Sequence, residues 1–275
     1  MNKTNEINIL FVSDIHENFD NLDTVTKYVT SKTKNYDLIL FGGDFVTIPK
    51  PQEATEEELK IAENTTKKLI TQLEKLGQQL IYIPGNHDSS RLFNNLILGS
   101  KKNTTNLHKG YQLIGQNLVI AGLGGSVVGI QNGEVIWDAY PYHSNDLAKK
   151  DLEQLLDDLK KDKKLPEKYQ LILLTHCGPS NTCTSIINNI PQKQILSGIP
   201  FLYKLYNSYS LGELDSLKMK FFLNLHGHSH DSQGMSKIGD VKIINAGSVK
   251  RGNFSTLKIV KNEEWELKSV KFHLI

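Results

Sequence analysis

The chain has 275 residues, of which 39% are hydrophobic and 23% are charged, so it can bury a sizeable core and has the composition of an ordinary globular protein. With a formal net charge of +2 and neither an extended basic stretch nor a series of aromatic residues, it gives no reason to expect a nucleic-acid partner. No apolar run reaches the roughly 18 residues that a membrane-spanning helix needs, so no membrane partner is expected.

The first third of the chain alternates between predicted strands and helices. Short apolar runs at 7–12, 38–41 and 80–83 predict buried strands. Apolar residues at helical spacing predict one helix over 19–29 and another over 59–76. Thr55 followed by Glu58 forms the pattern of a capping box at the start of the second helix. This alternation is typical of parallel βαβ units and indicates an α/β fold.

The rest of the chain adds further strands and one clear helix. Apolar runs predict strands at 118–121, 171–175 and 221–225, with a helix that starts near Ser144 between the first two. Short alternating segments joined by turns indicate antiparallel pairing near the end, at 233–238, 241–244, 254–260 and 265–272. The irregular region 179–215 is interpreted as a possible insertion or cap at one end of the sheet, inside a single domain spanning 1–275.

Polar residues follow these apolar runs directly. Open α/β sheets place their functional sites at the carboxyl ends of strands, and here five runs end in residues with metal-binding side chains. The residues concerned are Asp14, His16, Asp44, Asn86, His87, Asp88, His176, His228 and His230. Asp14 and His16 stand two apart, as do His228 and His230, so an extended backbone would project each pair to one side, where it can bind a metal.

Each of these motifs has a simpler interpretation when it is taken alone. A histidine at a strand end is more often a hydrogen-bonded structural residue, an aspartate there is often a helix cap, and Gly-Asn is often a turn. Independent caps and turns would not supply Asp, Asn or His at five strand ends in succession. Outside the series, Asn18 is predicted to cap the first helix, His226 to be structural, and His108 and His143 to be loop residues.

The ordered series Asp14-x-His16, Gly43-Asp44, Gly85-Asn86-His87-Asp88, His176 and Gly227-His228-x-His230 resembles the calcineurin-like metallophosphoesterase superfamily, in particular its small prokaryotic-type phosphodiesterase branch. The resemblance implies a four-layer fold in which two mixed β-sheets pack as a sandwich flanked by helices. It also implies that Asp14, His16 and His230 hold one metal. A second metal would be held by Asn86, His176 and His228, with Asp44 bridging the two.

The donor types restrict the metals and the reaction. Imidazole, carboxylate and amide donors without thiolate suit manganese, iron, zinc, nickel or cobalt better than magnesium. Two divalent ions that share a carboxylate would activate a water molecule as a bridging hydroxide for attack on a phosphate ester. His87 is expected to stabilise the phosphoryl oxygens or to protonate the leaving alcohol. Asp88 is expected to orient His87 and to favour its charged form.

The predicted protein is therefore a metal-dependent phosphoesterase that acts on a small-molecule phosphate ester. Phosphodiesters are favoured, with a phosphomonoesterase or a nucleotide pyrophosphohydrolase of the same fold as alternatives. An interaction scaffold is the non-enzyme alternative, because some members of the superfamily have lost ligands, whereas every ligand is present here. A protein phosphatase is disfavoured because the stretch 45–49 lacks the arginine that such enzymes carry.

Two residues depart from the family pattern. Thr47 stands where many relatives have Asp or Asn, and Ala246 where many have proline.

Cys177 and Cys183 do not form a close CxxC pair, and the run 7–12 stops too early for a signal peptide. We therefore expect a cytoplasmic protein, and the oligomeric state is left open.

Overall fold

The computed structural model describes residues 5–32, 35–94, 96, 98–99, 102–137, 139–187, 193–213 and 218–275. The helices are α1 (Phe19–Lys32), α2 (Glu56–Leu73), α3 (Asn145–Lys161) and α4 (Pro200–Ser210). The strands are β1 (Glu6–Val12), β2 (Tyr36–Phe41), β3 (Gly77–Tyr82), β4 (Thr104–Asn106), β5 (Gly110–Gly115), β6 (Leu118–Leu123), β7 (Gly129–Gln131), β8 (Glu134–Trp137), β9 (Tyr169–Thr175), β10 (Ile186–Ile187), β11 (Ile195–Leu196), β12 (Met219–His226), β13 (Gly234–Ile238), β14 (Val241–Asn245), β15 (Asn253–Lys261) and β16 (Trp265–Leu274).

The predicted helix starts are confirmed. At α2 the Glu58 amide donates to Thr55 Oγ1 at 3.3 Å, and the Glu58 carboxylate accepts from the Thr55 amide at 2.8 Å, which completes the capping box. Ser144 is the residue that precedes α3. Each helix is held chiefly by the apolar face that it buries, because isolated helices of this length are marginal in water.

Two six-stranded sheets contain most of the strands. The first has the order β16-β15-β1-β2-β3-β4, in which β1 to β4 run parallel and β15 pairs antiparallel with β1. The second has the order β13-β14-β12-β9-β6-β5, with a parallel centre and antiparallel edges. The predicted parallel βαβ units are confirmed, and so are the hairpins β13–β14 and β15–β16. The two hairpins join different sheets, and β14 also pairs in parallel with β12.

Alternate residues of the parallel strands face different layers. In β1, Ile9 and Phe11 belong to a core between the two sheets, whereas Leu10 and Val12 pack with α1 and α2. On the far side, α3 and α4 pack on the second sheet through residues such as Leu155. A strand that is buried on both faces has a continuous apolar sequence, and this is why these parallel strands could be predicted. The order of layers is helices, sheet, sheet, helices, and it confirms the expected sandwich.

The region 179–215 contains β10, β11 and α4, while residues 188–192 and 214–215 lie outside the described part of the chain. Strands β10 and β11 join β7 and β8 in a small four-stranded sheet. None of the helices that the structure describes is both long and apolar enough to cross a membrane.

Backbone hydrogen bonds bring the loops after the strands together. The Asp14 amide donates to the Gly43 carbonyl at 2.9 Å, which joins the loops that follow β1 and β2. The Gly227 amide donates to the His176 carbonyl at 3.1 Å, which joins the loops after β12 and β9 in the other sheet. The His228 amide donates to Asp14 Oδ2 at 3.0 Å, so the polar residues of both sheets meet at the carboxyl ends of their strands.

Candidate metal centre

Several residues of the centre have a left-handed backbone. The φ angles are 55° at Asp14, 48° at His16, 61° at Asp44 and 64° at His228. A non-glycine residue in this region costs roughly 1–2 kcal/mol, so the surrounding hydrogen bonds must hold it there. The expectation that Asp14 and His16, and likewise His228 and His230, lie on extended segments is wrong. Strand β1 ends at Val12 and β12 at His226, and residues with a left-handed φ follow each strand. This left-handed backbone, rather than strand alternation, aims these side chains at the centre.

The first group of donors consists of Asp14, His16 and His230. His230 Nε2 lies 3.1 Å from Asp14 Oδ1 and 3.2 Å from His16 Nε2, and His16 Nε2 lies 4.0 Å from Asp14 Oδ1. A carboxylate oxygen and two ring nitrogens that converge in this way can hold a divalent cation.

The second group adjoins the first through Asp44. His176 Nε2 lies 3.3 Å from Asp44 Oδ2 and 3.0 Å from Asn86 Oδ1, and the ring centroids of His176 and His228 are 5.0 Å apart. Asp14, Asp44 and His176 also satisfy the spacing required for binding one ion. Since Asp44 Oδ2 is 3.6 Å from His16 Nε2 as well, this carboxylate lies between the two groups.

Hydrogen bonds outside the centre orient the donors. His176 Nδ1 lies 2.7 Å from the Gly42 carbonyl oxygen, which can only accept a hydrogen bond. Nδ1 must therefore carry a proton, and Nε2 is the ring nitrogen that faces Asp44 and Asn86. The carboxylate of Asp14 accepts from the His228 amide at 3.0 Å, which fixes it from the opposite loop.

The electrostatics favour cation binding. Burial opposes ionisation of Asp14, but His230 outweighs it and lowers the pKa of this carboxyl to about 2. Burial is likewise outweighed at Asp44, where His176 holds the pKa well below the usual range. Burial lowers the pKa of His228 to about 3 and also lowers that of His16. These groups are then anionic carboxylates and neutral imidazoles at neutral pH, the forms that coordinate metal ions.

His176 differs from the other imidazoles. Burial disfavours its charged form, yet the adjacent Asp44 carboxylate raises the pKa of His176 to about 9. A cation that binds here must therefore displace a proton.

Glycines allow the loops to approach the centre closely. A Cβ at Gly85 would overlap the carboxylate of Asp44, and a Cβ at Gly227 would overlap Ser13 and approach the carboxylate of Asp14. Gly43 has a φ of 101° and abuts His176, so a side chain there would be both strained and crowded.

Asp88 has a different task from the one that the sequence suggested. Its Oδ2 accepts from the amides of Asp44 at 2.9 Å and Gly85 at 2.8 Å, and its Oδ1 accepts from those of Phe45 at 2.8 Å and Val46 at 3.1 Å. The carboxylate is fully buried and joins the two loops that bear Asp44 and Asn86. Burial and the nearby Asp44 raise the pKa of Asp88, but a proton on either oxygen would face an N–H donor.

The expectation that Asp88 orients His87 is therefore wrong. His87 Nδ1 lies 3.2 Å from the Ile48 carbonyl instead, and its backbone amide donates to Asp44 Oδ1 at 2.8 Å. The His87 ring remains close to the donors, with its centroid 5.5 Å from that of His16.

The remaining polar residues are placed as expected. Asn18 Oδ1 accepts from the Asn21 amide at 2.9 Å, which caps α1. His226 has both ring nitrogens engaged, one with the Gly227 carbonyl and one with Thr184 Oγ1, each at 3.0 Å. His108 Nδ1 accepts from the Gly124 amide at 3.0 Å, and His143 is an exposed loop residue.

Sequence reasoning missed the residues that surround the donors. Thr47 Oγ1 lies 3.0 Å from His16 Nδ1, and Glu17 accepts two hydrogen bonds from Thr47. Ser248 Oγ donates to the Asp14 carbonyl at 2.9 Å. The sequence signals were the position of Glu17 beside the Asp14-x-His16 motif and the departure from the family pattern at Thr47. The contact between Thr47 and His16 itself depends on how two loops meet.

A cavity of about 560 Å³ opens onto the centre. Asp44, Asn86, His87, His228 and His230 line it together with Pro49, Lys50, Tyr140, Ile187 and Arg251. A larger groove of about 770 Å³ lies between α3 and α4, but it is lined by other residues. The cavity of about 560 Å³ is the candidate substrate site, because it is the one that the candidate metal-binding residues line.

A family model for calcineurin-like phosphoesterases matches residues 7–232, a span that contains every donor described above. The chain belongs to the calcineurin-like phosphoesterase family. Proteins of this family typically bind two divalent metals. The expected family and enzyme class are confirmed: this calcineurin-like phosphoesterase is a metal-dependent phosphoester hydrolase.

Solved structures with the same fold cover nearly the whole chain. The protein TT1561 of Thermus thermophilus is 17% identical with a TM-score of 0.54, covering 91% of this chain and 93% of its own. A dimetal phosphatase from Danio rerio is 12% identical with a TM-score of 0.55, covering 97% and 98%. Phosphopantetheinyl hydrolase from Mycobacterium tuberculosis is 11% identical with a TM-score of 0.54, covering 89% and 90%. At these identities the likeness shows the fold alone. A search of curated proteins finds no significant match.

Proposed function

We propose that this calcineurin-like phosphoesterase hydrolyses a small-molecule phosphodiester at a centre of two divalent cations. Asp14, His16 and His230 hold the first cation. The second is held by Asn86, His176 and His228, and Asp44 is shared. One observation carries the proposal: Asp44 Oδ2 lies 3.6 Å from His16 Nε2 and 3.3 Å from His176 Nε2, so one carboxylate reaches a donor of each group.

The donor chemistry supports manganese, iron, zinc, nickel or cobalt over magnesium, since most of the donors are imidazoles. When bound, the two cations would neutralise phosphate charge and supply an acidic water as the nucleophile. His87 lines the cavity beside these donors, and its Nδ1 proton is directed to the Ile48 carbonyl. Its Nε2 is then the nitrogen left for the substrate, and in the doubly protonated ring it can donate to a phosphoryl oxygen or pass its proton to the leaving alcohol.

The size and lining of the cavity support a diester with an organic group on each side. A volume of about 560 Å³ lies within the roughly 300–1,000 Å³ of pockets that hold drug-sized ligands, so a phosphate alone would occupy a small part of it. Pro49, Tyr140 and Ile187 offer apolar surface to such groups. Lys50 and Arg251 line the same cavity, where each pairs with a carboxylate, Glu53 and Asp231 respectively. A further phosphate that displaced these carboxylates could bind to the two basic side chains, which favours nucleotide pyrophosphohydrolysis as the second candidate.

The proposal is tested with metal-free protein reloaded with manganese. We expect two ions per chain and faster turnover of bis(p-nitrophenyl) phosphate than of p-nitrophenyl phosphate, with a dinucleotide polyphosphate as the third substrate. Asp44→Asn should reduce both metal uptake and turnover. A protein that binds fewer than two ions contradicts the centre. Preference for the monoester contradicts the substrate class, and two bound ions without turnover of any substrate would favour a scaffold.

We also propose that the chain forms one domain over 1–275 in which 179–215 is an insertion covering the site. Support comes from Ile187 of β10, which lines the cavity. The free thiols of Cys177 and Cys183 suit a cytoplasmic location.

A further inference from the structure

Two exposed residues outside the ligand set form a chain of hydrogen bonds that ends on His16. Glu17 Oε1 accepts from the Thr47 amide at 2.7 Å, and Glu17 Oε2 accepts from Thr47 Oγ1 at 3.0 Å. Thr47 Oγ1 in turn lies 3.0 Å from His16 Nδ1. A single carboxylate thus holds both the backbone and the hydroxyl of Thr47.

The number of protons fixes the direction of this chain. The Thr47 hydroxyl has one hydrogen, and an ionised Glu17 carboxylate can only accept it. The Thr47 oxygen must then accept from His16 Nδ1–H. The opposite arrangement, with Thr47 donating to His16, would leave two acceptor oxygens 3.0 Å apart. His16 is therefore protonated at Nδ1, and the lone pair of Nε2 faces Asp14, Asp44 and His230.

The backbone keeps this chain in place. Glu17 and His16 both have left-handed φ angles, 56° and 48°, and the Glu17 amide donates to the Phe45 carbonyl at 2.9 Å. The loop that carries the ligand Asp14 is thereby tied to the loop that carries Thr47. Because Glu17 and Thr47 are exposed, replacing their side chains opens no cavity in the core.

We propose that Glu17 is a positioning residue, which acts through Thr47 to hold His16 in the tautomer whose Nε2 can bind a cation. The inference rests on the proposed function, since it requires His16 to be a metal ligand. Outer hydrogen-bond partners of ligating histidines typically contribute 10–100-fold to metal affinity. The Glu17–Thr47 chain should contribute at the lower end of this range, because both residues are exposed.

The test compares metal binding by Thr47→Val, Glu17→Gln and Thr47→Ser with that of the wild-type protein. Calorimetric titration of the metal-free proteins with manganese should show about tenfold weaker binding of one of the two ions to Thr47→Val and Glu17→Gln. Thr47→Ser retains the hydroxyl and should restore wild-type affinity. Glu57→Gln, an exposed position on α2, is the matched control and should have no effect.

A second measurement reads the tautomer without a metal. In ¹⁵N spectra of the metal-free protein, the His16 ring should be protonated at Nδ1 in the wild type and should gain Nε2-protonated form in Thr47→Val. Wild-type affinity and an unchanged tautomer in Thr47→Val would overturn the inference while leaving the metal centre intact. Failure of the wild-type protein to bind two ions would instead overturn the proposed function, and the inference with it.

Discussion

Replacement of Asp88 by Asn distinguishes a structural role from a catalytic one. Asp88 accepts four backbone hydrogen bonds, two on each carboxylate oxygen. Asn keeps one oxygen, so two amides would lose their acceptor and would face the NH₂ group. Hydrogen bonds to a charged acceptor contribute about 1.5–3 kcal/mol each, which gives a loss of about 3–6 kcal/mol for Asp88→Asn.

A loss of this size is large against the roughly 5–15 kcal/mol by which most proteins are stable. For a chain of this length each kcal/mol lowers the melting temperature by about 2–4 °C, so Asp88→Asn should melt roughly 6–24 °C lower. The variant should also bind metals more weakly, because Asp88 joins the loops that carry Asp44 and Asn86.

The assay is thermal and urea unfolding of the metal-free proteins in a chelator, so that metal binding does not contribute to stability. His87→Ala serves as the comparison, since its side chain lines the cavity and carries no comparable set of amides. If Asp88→Asn unfolds like the wild type and only turnover falls, the structural role is refuted and the orientation of His87 by Asp88 must be reconsidered.

Three further predictions concern other residues. His87→Ala should keep both metals but lower kcat by about 10²–10⁴, the range for losing a general acid, and a fully active variant would exclude this role. Arg251→Ala should lower kcat/KM about tenfold or more if Arg251 binds the substrate anion, whereas Lys250→Ala beside it should change little; steady-state kinetics of the two variants decides. Burial lowers the pKa of His108 to about 3, from about 6.5 when unfolded, so its neutral form contributes stability above about pH 6.5 that is lost as pH falls towards 3. Between pH 7 and pH 5, the free energy of unfolding of the metal-free protein should therefore fall by about 2 kcal/mol less in His108→Gln than in the wild type, as measured by urea unfolding. An equal fall in both proteins would contradict the buried neutral state of His108.

Much of the fold could be predicted because buried positions are occupied by apolar residues in a recognisable pattern along the sequence. Strands covered on both faces are continuous apolar runs, and β1, β2 and β9 were found in this way. The capping box at Thr55 was also visible, since it depends on two residues three apart. By contrast, β10 and β11 have only two residues each and lie in the small sheet, so no periodicity could reveal them.

The candidate metal centre, like the fold, could be predicted from the sequence only in part. Residue type and position after strands were enough to predict the donors from Asp14 to His230, because parallel strands bring their carboxyl ends to one edge. The backbone geometry could not be predicted, and an extended segment was expected where His16 has a left-handed φ of 48°. The role of Asp88 was also missed, since nothing in Asn86-His87-Asp88 indicates that its carboxylate turns back to the amides of the Asp44 loop.

The sequence by itself determined which side chains are able to bind a metal and at which strand ends they stand, because these follow from side-chain chemistry and local pattern. Only the tertiary structure decided which hydrogen-bond partner each donor has, as Thr47 for His16 and Gly42 for His176 illustrate. Those contacts join residues 31 and 134 positions apart. The first exists because the loops after two neighbouring strands of one sheet meet, and the second because loops from two sheets pack together. Both depend on the packing of the whole core rather than on any short stretch of chain.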